Sequence, residues 1–166
     1  MKFEKVSFEE FLKKCRNIKV EYSFKEIKDL YDKIKLPSRS TKNSAGYDFY
    51  FPLNDKHFNE NKEYAFPTGI KVKLESDKFL GMYPRSSLGF KYGFQILNTV
   101  GIIDADYYGN SDNEGHIMMA FKLAHPLYLR NGDKYCQGII QQYFRTYDDQ
   151  TEGVRTGGIG STDERR

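Results

Sequence analysis

The chain lacks the features that would place it in a membrane or along nucleic acid. None of its apolar runs approaches the length of a membrane span, and charged residues interrupt the apolar ones at its start. Its 26 basic and 23 acidic side chains nearly balance, without a long basic block. We therefore expect a cytoplasmic protein, or an intracellular one in a host cell if it is viral. We expect it to bind a small anionic ligand, and neither membrane nor nucleic acid directly.

Cysteine is also scarce. Cys15 and Cys136 lie far apart and have no neighbours at the spacing of zinc ligands, which disfavours both a set of disulfides and a zinc site. We expect both thiols to be buried as small apolar side chains. The 166 residues contain no internal repeat and no second domain boundary, so a single domain is predicted.

Two helix starts stand near the beginning of the chain. The segments Ser-Phe-Glu-Glu from Ser7 and Ser-Phe-Lys-Glu from Ser23 each place a serine three residues before a glutamate, which is the pattern of a capping box. Apolar residues follow at helical spacing, and Pro37 ends the second pattern. The sequence therefore predicts two short amphipathic helices within residues 7–35, after a possible strand at residues 2–6.

From residue 45 onward the pattern is that of an antiparallel β protein. Short runs rich in Tyr, Phe, Ile and Val are separated by turn residues. Residues 70–74 alternate apolar and polar side chains, as a strand with one wet face should, and residues 137–144 indicate a more buried strand. We expect a mainly β barrel or sandwich.

A glycine-rich tail, Arg-Thr-Gly-Gly-Ile-Gly-Ser-Thr from Arg155, follows the predicted strands. Glycines allow backbone N–H groups to converge, and an arginine with two hydroxyls adds further donors, which suits an anionic polyphosphate. The alternative interpretation is a frayed, disordered terminus.

Two upstream segments also carry polar groups that suit phosphate. Residues 84–93, PRSSLGFKYG, offer a guanidinium, two hydroxyls and an ammonium within ten residues. The alternative is a solvated loop with a helix cap at Ser86 or Ser87. Residues 132–137, GDKYCQ, form a predicted hairpin that leads Gln137 toward either the core or a ligand.

Two further segments deliver carboxylates. Residues 44–48, SAGYD, form a small-residue turn that ends at Asp48. In residues 98–109, NTVGIIDADYYG, an apolar strand leads into Asp104 and Asp106, which alternation sends to the same side. A carboxylate there is a candidate general base, and an adjacent tyrosine ring is a candidate platform for a sugar. The alternative is a structural aspartate in a β-turn.

Taken in this order, the five segments resemble the five motifs of the trimeric dUTP diphosphatase family, over about residues 36–162. The resemblance implies a jelly-roll-like β fold with a small N-terminal helical insertion. It also implies a homotrimer whose active sites are each built from more than one subunit, with the arm reaching across to a neighbour. The expected single domain covers 1–162, with a helical insertion at 7–35, a β body at 36–150 and a flexible arm at 151–166.

The resemblance further implies that dUTP is hydrolysed to dUMP and pyrophosphate. Asp104 would orient and deprotonate a water for in-line attack on the α-phosphorus. Mg²⁺ would be held by the three phosphates and waters, without a direct protein ligand, and Asp48 would act at most through water. Asn98 would bond the uracil edge, and Tyr107 would press on the sugar and reject UTP. Other implied substrate-binding residues are Arg85, Ser86, Ser87, Gly101, Ile102, Ile103, Met118, Gln137, Arg155, Ile159, Gly160, Ser161 and Thr162.

Three features depart from that family's usual pattern. Ile159 stands where an aromatic lid over uracil is usual, and Asp163 and Glu164 bring negative charge to the arm. The turn after Tyr107 is several residues longer than usual. We expect His116 or Tyr108 in it to help cover the base, the alternative for His116 being a polar residue at a strand edge. The insertion has no chemistry of its own and is interpreted as a packing or partner surface.

Two other functions stay open at this point. A dCTP deaminase, alone or bifunctional, would share the fold but needs a catalytic glutamate and an arginine placed for an amino-bearing ring. A dUTP-gated interaction module would use residues 7–35 to contact a protein partner.

Overall fold

Antiparallel strands dominate the computed structural model, which describes residues 1–18, 21–153, 155 and 157. The helices in this part of the chain are α1 (Phe8–Asn17), α2 (Phe24–Lys33) and α3 (Ser86–Tyr92), with a 3₁₀ turn at Ala105–Tyr107. The strands there are β1 (Lys2–Lys5), β2 (Ser38–Arg39), β3 (Tyr47–Tyr50), β4 (Lys56–Phe58), β5 (Glu63–Pro67), β6 (Ile70–Lys73), β7 (Lys78–Pro84), β8 (Gln95–Ile96), β9 (Gly101–Asp104), β10 (Met118–Lys122), β11 (Leu127–Leu129) and β12 (Lys134–Gln142).

The largest sheet has the strand order β2-β3-β12-β7-β9, with every neighbouring pair antiparallel. A second sheet has the order β5-β10-β8, and two further pairs are β1-β6 and β11-β4. The predicted mainly β architecture with a small N-terminal helical part is therefore confirmed. None of the helices among the described residues is long and apolar enough to cross a membrane.

Both predicted N-terminal helices form, but their caps differ. At α2 the capping box is complete, because Ser23 and Glu26 bond each other's backbone N–H groups. At α1 the Ser7 hydroxyl accepts from the Glu10 backbone, whereas the Ser7 backbone donates to Glu114 instead of Glu10. The Glu10 side chain is therefore released from the expected cap, and it turns into the protein, where it is buried.

The apolar sides of α1 and α2 belong to the same hydrophobic core as the strands. Phe11 and Cys15 of α1, with Ile27 and Leu30 of α2, are buried in one cluster with residues of the large sheet, including Leu80. The sequence predicts a packing or partner surface at residues 7–35. The apolar sides of the two helices there pack into the core.

Both cysteines are buried and free, as expected from the sequence. Burial raises the pKa of the Cys15 thiol to about 12 and that of Cys136 further. Both thiols therefore stay protonated near neutral pH and behave as small apolar side chains.

The packing of α1 predicts a large loss of stability in Phe11→Ala. Phe11 is 0% exposed, so its truncation leaves a cavity and should lower the free energy of unfolding by about 3–5 kcal/mol. Phe24→Ala is the matched control, because Phe24 is 57% exposed and should cost less than about 1 kcal/mol. Denaturant unfolding at one protein concentration measures both, and equal small losses would show that α1 is not part of the core.

Candidate active site

A cleft of about 450 Å³ lies between strands β7, β9 and β10. It brings together seven of the predicted site residues, namely Asn98, Gly101, Ile102, Ile103, Tyr107, Met118 and Arg155. The six other lining residues are all apolar, namely Met82, Ile96, Leu97, Ile117, Met119 and Ala120. A mostly apolar cleft with a few polar groups at its mouth suits a small organic ligand.

A tight turn between β8 and β9 presents Asn98 at this cleft. The backbone N–H of Thr99 donates to Ile96, that of Val100 donates to Asn98, and Thr99 has a left-handed φ of 65°. Gly101 follows, where a Cβ would lie 3.2 Å from the Met82 Cβ. The glycine thus lets β9 approach β7 closely, and the turn holds the exposed Asn98 amide at the cleft.

Asp104 lies where β9 ends and the 3₁₀ turn begins. One of its oxygens accepts a hydrogen bond of 2.8 Å from Nη2 of Arg155, and Asp106 accepts one of 3.1 Å from Nε of the same guanidinium. The two carboxylates therefore face the same side, as expected, although Asp106 lies in the 3₁₀ turn, where strand alternation does not apply. The side chain of Asp104 is 48% exposed, so an incoming water can reach it. A second cleft of about 450 Å³ adjoins both carboxylates and also contains Arg145.

Arg155 contacts the carboxylates of its own chain, whereas the resemblance predicts that the arm reaches a neighbouring subunit. Its guanidinium also lies 5.5 Å from the centre of the Tyr107 ring, in a cation–π contact. The remaining predicted arm residues, Ile159, Gly160, Ser161 and Thr162, lie outside the described residues, as do Asp163 and Glu164.

The Tyr107 ring is held against the cleft by its hydroxyl. That hydroxyl donates to the backbone carbonyl of His116 at 3.1 Å and accepts from the side chain of Asn113 at 2.8 Å. Burial raises the pKa of Tyr107, so the phenol is neutral and can donate. The ring is 5% exposed and forms part of the cleft wall.

A second polar group forms around Asp48. Its carboxylate accepts from Lys134 at 2.7 Å and from Ser40, and it faces Nε of Arg85 at 3.4 Å. Burial alone would raise the pKa of Asp48, but the hydrogen bonds from Lys134 and Ser40 hold it below its usual value. Asp48 is therefore ionised and is surrounded by cations.

Gln137, Ser86 and Ser87 accompany Arg85 at this end of the large sheet. A Cβ on Gly46 would lie 2.4 Å from Oε1 of Gln137, so the glycine of the SAGYD turn makes room for that side chain. The helix α3 begins at Ser86, its N-cap is Arg85, and no side chain caps it. The alternative that Ser86 or Ser87 caps a helix is therefore wrong, and both serines are exposed at the first turn.

The two polar groups lie at opposite ends of β7. Phe79 pairs with Asp104 at one end, and Pro84, which precedes Arg85, lies at the other end. Five residues of extended strand separate them, which is roughly 16 Å. The described residues of one chain therefore place Asp104 and Arg85 in two separate half-sites.

The expected cover over the base is corrected by the structure. His116 is fully buried, lies 6.3 Å from Phe11 between ring centres, and accepts a hydrogen bond from the backbone of Gly69. The hydroxyl of Tyr108 bonds Glu4 in β1. Neither side chain lines the cleft, because the long turn folds back over α1 and β1 rather than over the cleft.

Sequence reasoning also missed Asn110, Asn113 and Glu10. Asn110 and Asn113 bond each other and Tyr107 inside the long turn. Paired asparagines in a turn are a recognisable sign of side chain to backbone bonding. Glu10 carried the signature of a cap, and nothing local in the sequence shows that it turns inward.

Comparison with known proteins identifies the family of this chain. Residues 32–162 match the family model described as dUTPase. A deoxyuridine 5'-triphosphate nucleotidohydrolase of Lactococcus lactis subsp. lactis (strain IL1403) is 38% identical over 133 residues, covering 78% of this chain and 88% of the relative. A deoxyuridine 5'-triphosphate nucleotidohydrolase of Laribacter hongkongensis (strain HLHK9) is 37% identical over 133 residues, covering 76% of this chain and 87% of the relative. The crystal structure of dUTPase from Streptococcus mutans has a TM-score of 0.64 at 26% identity, covering 88% of this chain and 98% of that one.

The fold and the cleft first define a mainly β protein with a pocket for a small ligand and a carboxylate beside it. The matches specify it further: the chain belongs to the dUTPase family. The fold expected from the resemblance is confirmed by the similarity to the Streptococcus mutans structure.

Burial of His116 predicts a characteristic pH dependence of stability. Burial, with a smaller contribution from Lys14, lowers the pKa of His116 to about 3, against the opposing charge of Glu114. Between that value and the ordinary value near 6.5 the unfolded chain binds more protons than the folded one. This group should therefore lower stability as the pH falls below about 6.5, by up to about 1.4 kcal/mol per pH unit.

The measurement compares denaturant unfolding of the wild type and His116→Gln from pH 7 to pH 4.5. Burial raises the pKa of Glu10, so this carboxyl makes the folded state more stable as the pH falls, opposite to His116. Glu10 is present in both proteins, so the difference between their slopes of unfolding free energy against pH reports on His116. His57→Gln, at an exposed strand position, is the control. Parallel pH profiles for wild type and His116→Gln would contradict a neutral, buried His116.

Proposed function

We propose that this protein hydrolyses dUTP to dUMP and pyrophosphate, by in-line attack of a water on the α-phosphorus. The observation that carries the proposal is the position of Asp104, a half-exposed carboxylate that bonds Arg155, and this arginine lines the cleft that contains Asn98 and Tyr107. Membership of the dUTPase family and the names of the relatives support this substrate.

Asp104 acts as the general base in this proposal. Nucleotide phosphates compete with Asp104 and Asp106 for the Arg155 guanidinium, because arginine forms bidentate hydrogen bonds with phosphate. Once Arg155 turns toward the phosphates, Asp104 is free to orient a water and take its proton. The water oxygen then bonds to the α-phosphorus, the bond to the β-phosphate oxygen breaks, and pyrophosphate leaves.

The apolar cleft selects the base and the sugar. Asn98 offers an amide that can both donate to and accept from the uracil edge, and in this proposal the turn around it would exclude the methyl group of thymine. The Tyr107 ring forms the wall against which the deoxyribose would pack, so a 2′-hydroxyl would collide with it. Steric exclusion of this kind discriminates against UTP.

The half-site around Arg85 binds the phosphate chain. Arg85, Ser86, Ser87 and Gln137 provide a guanidinium, two exposed hydroxyls and an amide at one end of the large sheet. This set of cationic and neutral donors suits a phosphate chain, which would itself hold Mg²⁺ together with waters. Mg²⁺, when bound, supplies positive charge to the phosphates. Asp48 already binds Lys134 and Ser40, and would contact the ion at most through a water.

A homotrimer with shared sites completes the proposal. The two half-sites lie at opposite ends of β7 in one chain, so dUTP needs the Asp104 end of one subunit and the Arg85 end of another. Residues 158–162 of the arm, with Ile159, Gly160, Ser161 and Thr162, would continue from Arg155 toward such a shared site. Ile159 would then cover the uracil with an apolar side chain rather than an aromatic ring.

The two alternatives have less support. The family model and the named relatives are those of dUTP hydrolases, which favours dUTP hydrolysis over dCTP deamination. A protein partner at residues 7–35 stays a prediction, and it would have to bind mainly the charged outer sides of α1 and α2, since their apolar sides are packed.

Asp104→Asn tests the mechanism. The amide cannot accept the proton of the water, so kcat for dUTP should fall by at least about 100-fold while KM changes little. Pyrophosphate release with Mg²⁺ measures both constants, and dCTP, dTTP and UTP are measured in parallel.

Asp106→Asn is the matched control, because Asp106 shares the same arginine but lies further along the turn. It should lower kcat by less than about tenfold. Near wild-type hydrolysis in Asp104→Asn would refute Asp104 as the base, and ammonia release from dCTP without pyrophosphate from dUTP would replace the proposed reaction by a deamination.

A further inference from the structure

Helix α1 is attached to the 108–116 loop, the long turn that follows Tyr107, by two acidic side chains. Glu114 of the loop accepts from the backbone N–H of Ser7 at 3.0 Å and from Lys71 at 2.9 Å. Glu10 of α1 reaches His116 at the end of the loop, with 3.1 Å between Oε1 and Nδ1. The contact between Ser7 and Glu114 lies at the beginning of α1. The contact between Glu10 and His116 lies about one helical turn further along the chain and is buried.

The contact between Glu10 and His116 has a defined direction. Nε2 of His116 accepts the backbone N–H of Gly69 at 2.9 Å, so the ring proton of the neutral imidazole is on Nδ1. Nδ1 therefore donates to Glu10. Both partners are buried, and a buried acceptor that loses its donor is costly, so this hydrogen bond fixes the position of His116 relative to α1.

The same loop holds Tyr107 at three points. Its hydroxyl donates to the backbone carbonyl of His116 and accepts from Asn113, and its own carbonyl accepts from Asn110 at 2.8 Å. Gly115 lets the loop approach this closely, because a Cβ there would lie 2.7 Å from the Tyr107 carbonyl oxygen. The position of the ring thus depends on where the loop places His116 and Asn113.

We propose that Glu10 is a positioning residue for Tyr107, and that α1 thereby contributes to the preference for dUTP over UTP. The path is short and continuous: Glu10 accepts from His116, whose backbone carbonyl accepts the Tyr107 hydroxyl. The proposal rests on the proposed function, in which Tyr107 excludes the 2′-hydroxyl. A ring that can move away from the cleft excludes that hydroxyl less well, while the chemistry at Asp104 is unaffected.

Glu10→Ala tests this coupling. It should lower the ratio of kcat/KM for dUTP to that for UTP by about tenfold, mostly through better use of UTP, because small displacements of a positioned group change rates to this extent or more. Glu10→Gln keeps an oxygen that can accept from His116 and should restore most of the ratio. Glu9→Ala, on the exposed side of the same helix, should leave it unchanged.

A stability control separates positioning from general loosening. Leu53→Ala truncates a buried side chain that does not line the cleft and lies outside the 108–116 loop, and it should lower stability without changing the ratio. If Glu10→Ala behaves like Leu53→Ala, with lower stability and a wild-type ratio, the inference is overturned.

Tyr107→Phe tests the inference even if Glu10→Ala does not fold. It removes the hydroxyl that bonds His116 and Asn113 but keeps the ring, and it should also lower the dUTP to UTP ratio. In the double variant the two effects should be less than additive, because both changes break the same path. An unchanged dUTP to UTP ratio in Tyr107→Phe would overturn this inference but not the proposed function. A wild-type protein without hydrolysis of dUTP, or without a preference over UTP, would instead refute the proposed function.

Discussion

Strand β7 is the constraint on which the site depends. It pairs with β9 on one side and β12 on the other, so that Phe79 lies opposite Asp104 and Tyr83 lies opposite Gln137. An extended strand between two hydrogen-bonded neighbours cannot fold back on itself. The Asp104 end and the Arg85 end are therefore held apart within one chain, which supports the proposal that a complete site needs a second copy.

The N-terminal helices are connected to this arrangement through the long turn after Tyr107. In the sequence, residues 7–35 and the 108–116 loop are two separate departures from the usual pattern of the dUTPase family. In the structure they contact each other, and Glu10, turned inward from its expected cap, bonds His116. Both helices thus add to the core, and α1 also contacts the longer loop that holds Tyr107.

Local patterns in the sequence predicted the local structure well. Serine caps located both helices. Asp104 and Asp106 do face one side, but because both bond Arg155 and not through strand alternation, since Asp106 lies in the 3₁₀ turn. The expectation for His116 was wrong, because its surroundings are set by a contact with Glu10, 106 residues away, for which the sequence has no local signature. The separation of Asp104 from Arg85 was likewise not predictable from spacing, since it follows from which strands pair with β7.

Mixing of subunits tests the central claim that Asp104 of one chain works with Arg85 of another. Asp104→Asn and Arg85→Ala proteins would be unfolded, combined in equal amounts, refolded and assayed for pyrophosphate release from dUTP. Random reassembly should recover about one quarter of the wild-type activity, because a site that takes the two residues from different chains is intact in about one case in four. Activity no greater than that of the separately refolded variants would contradict the shared site.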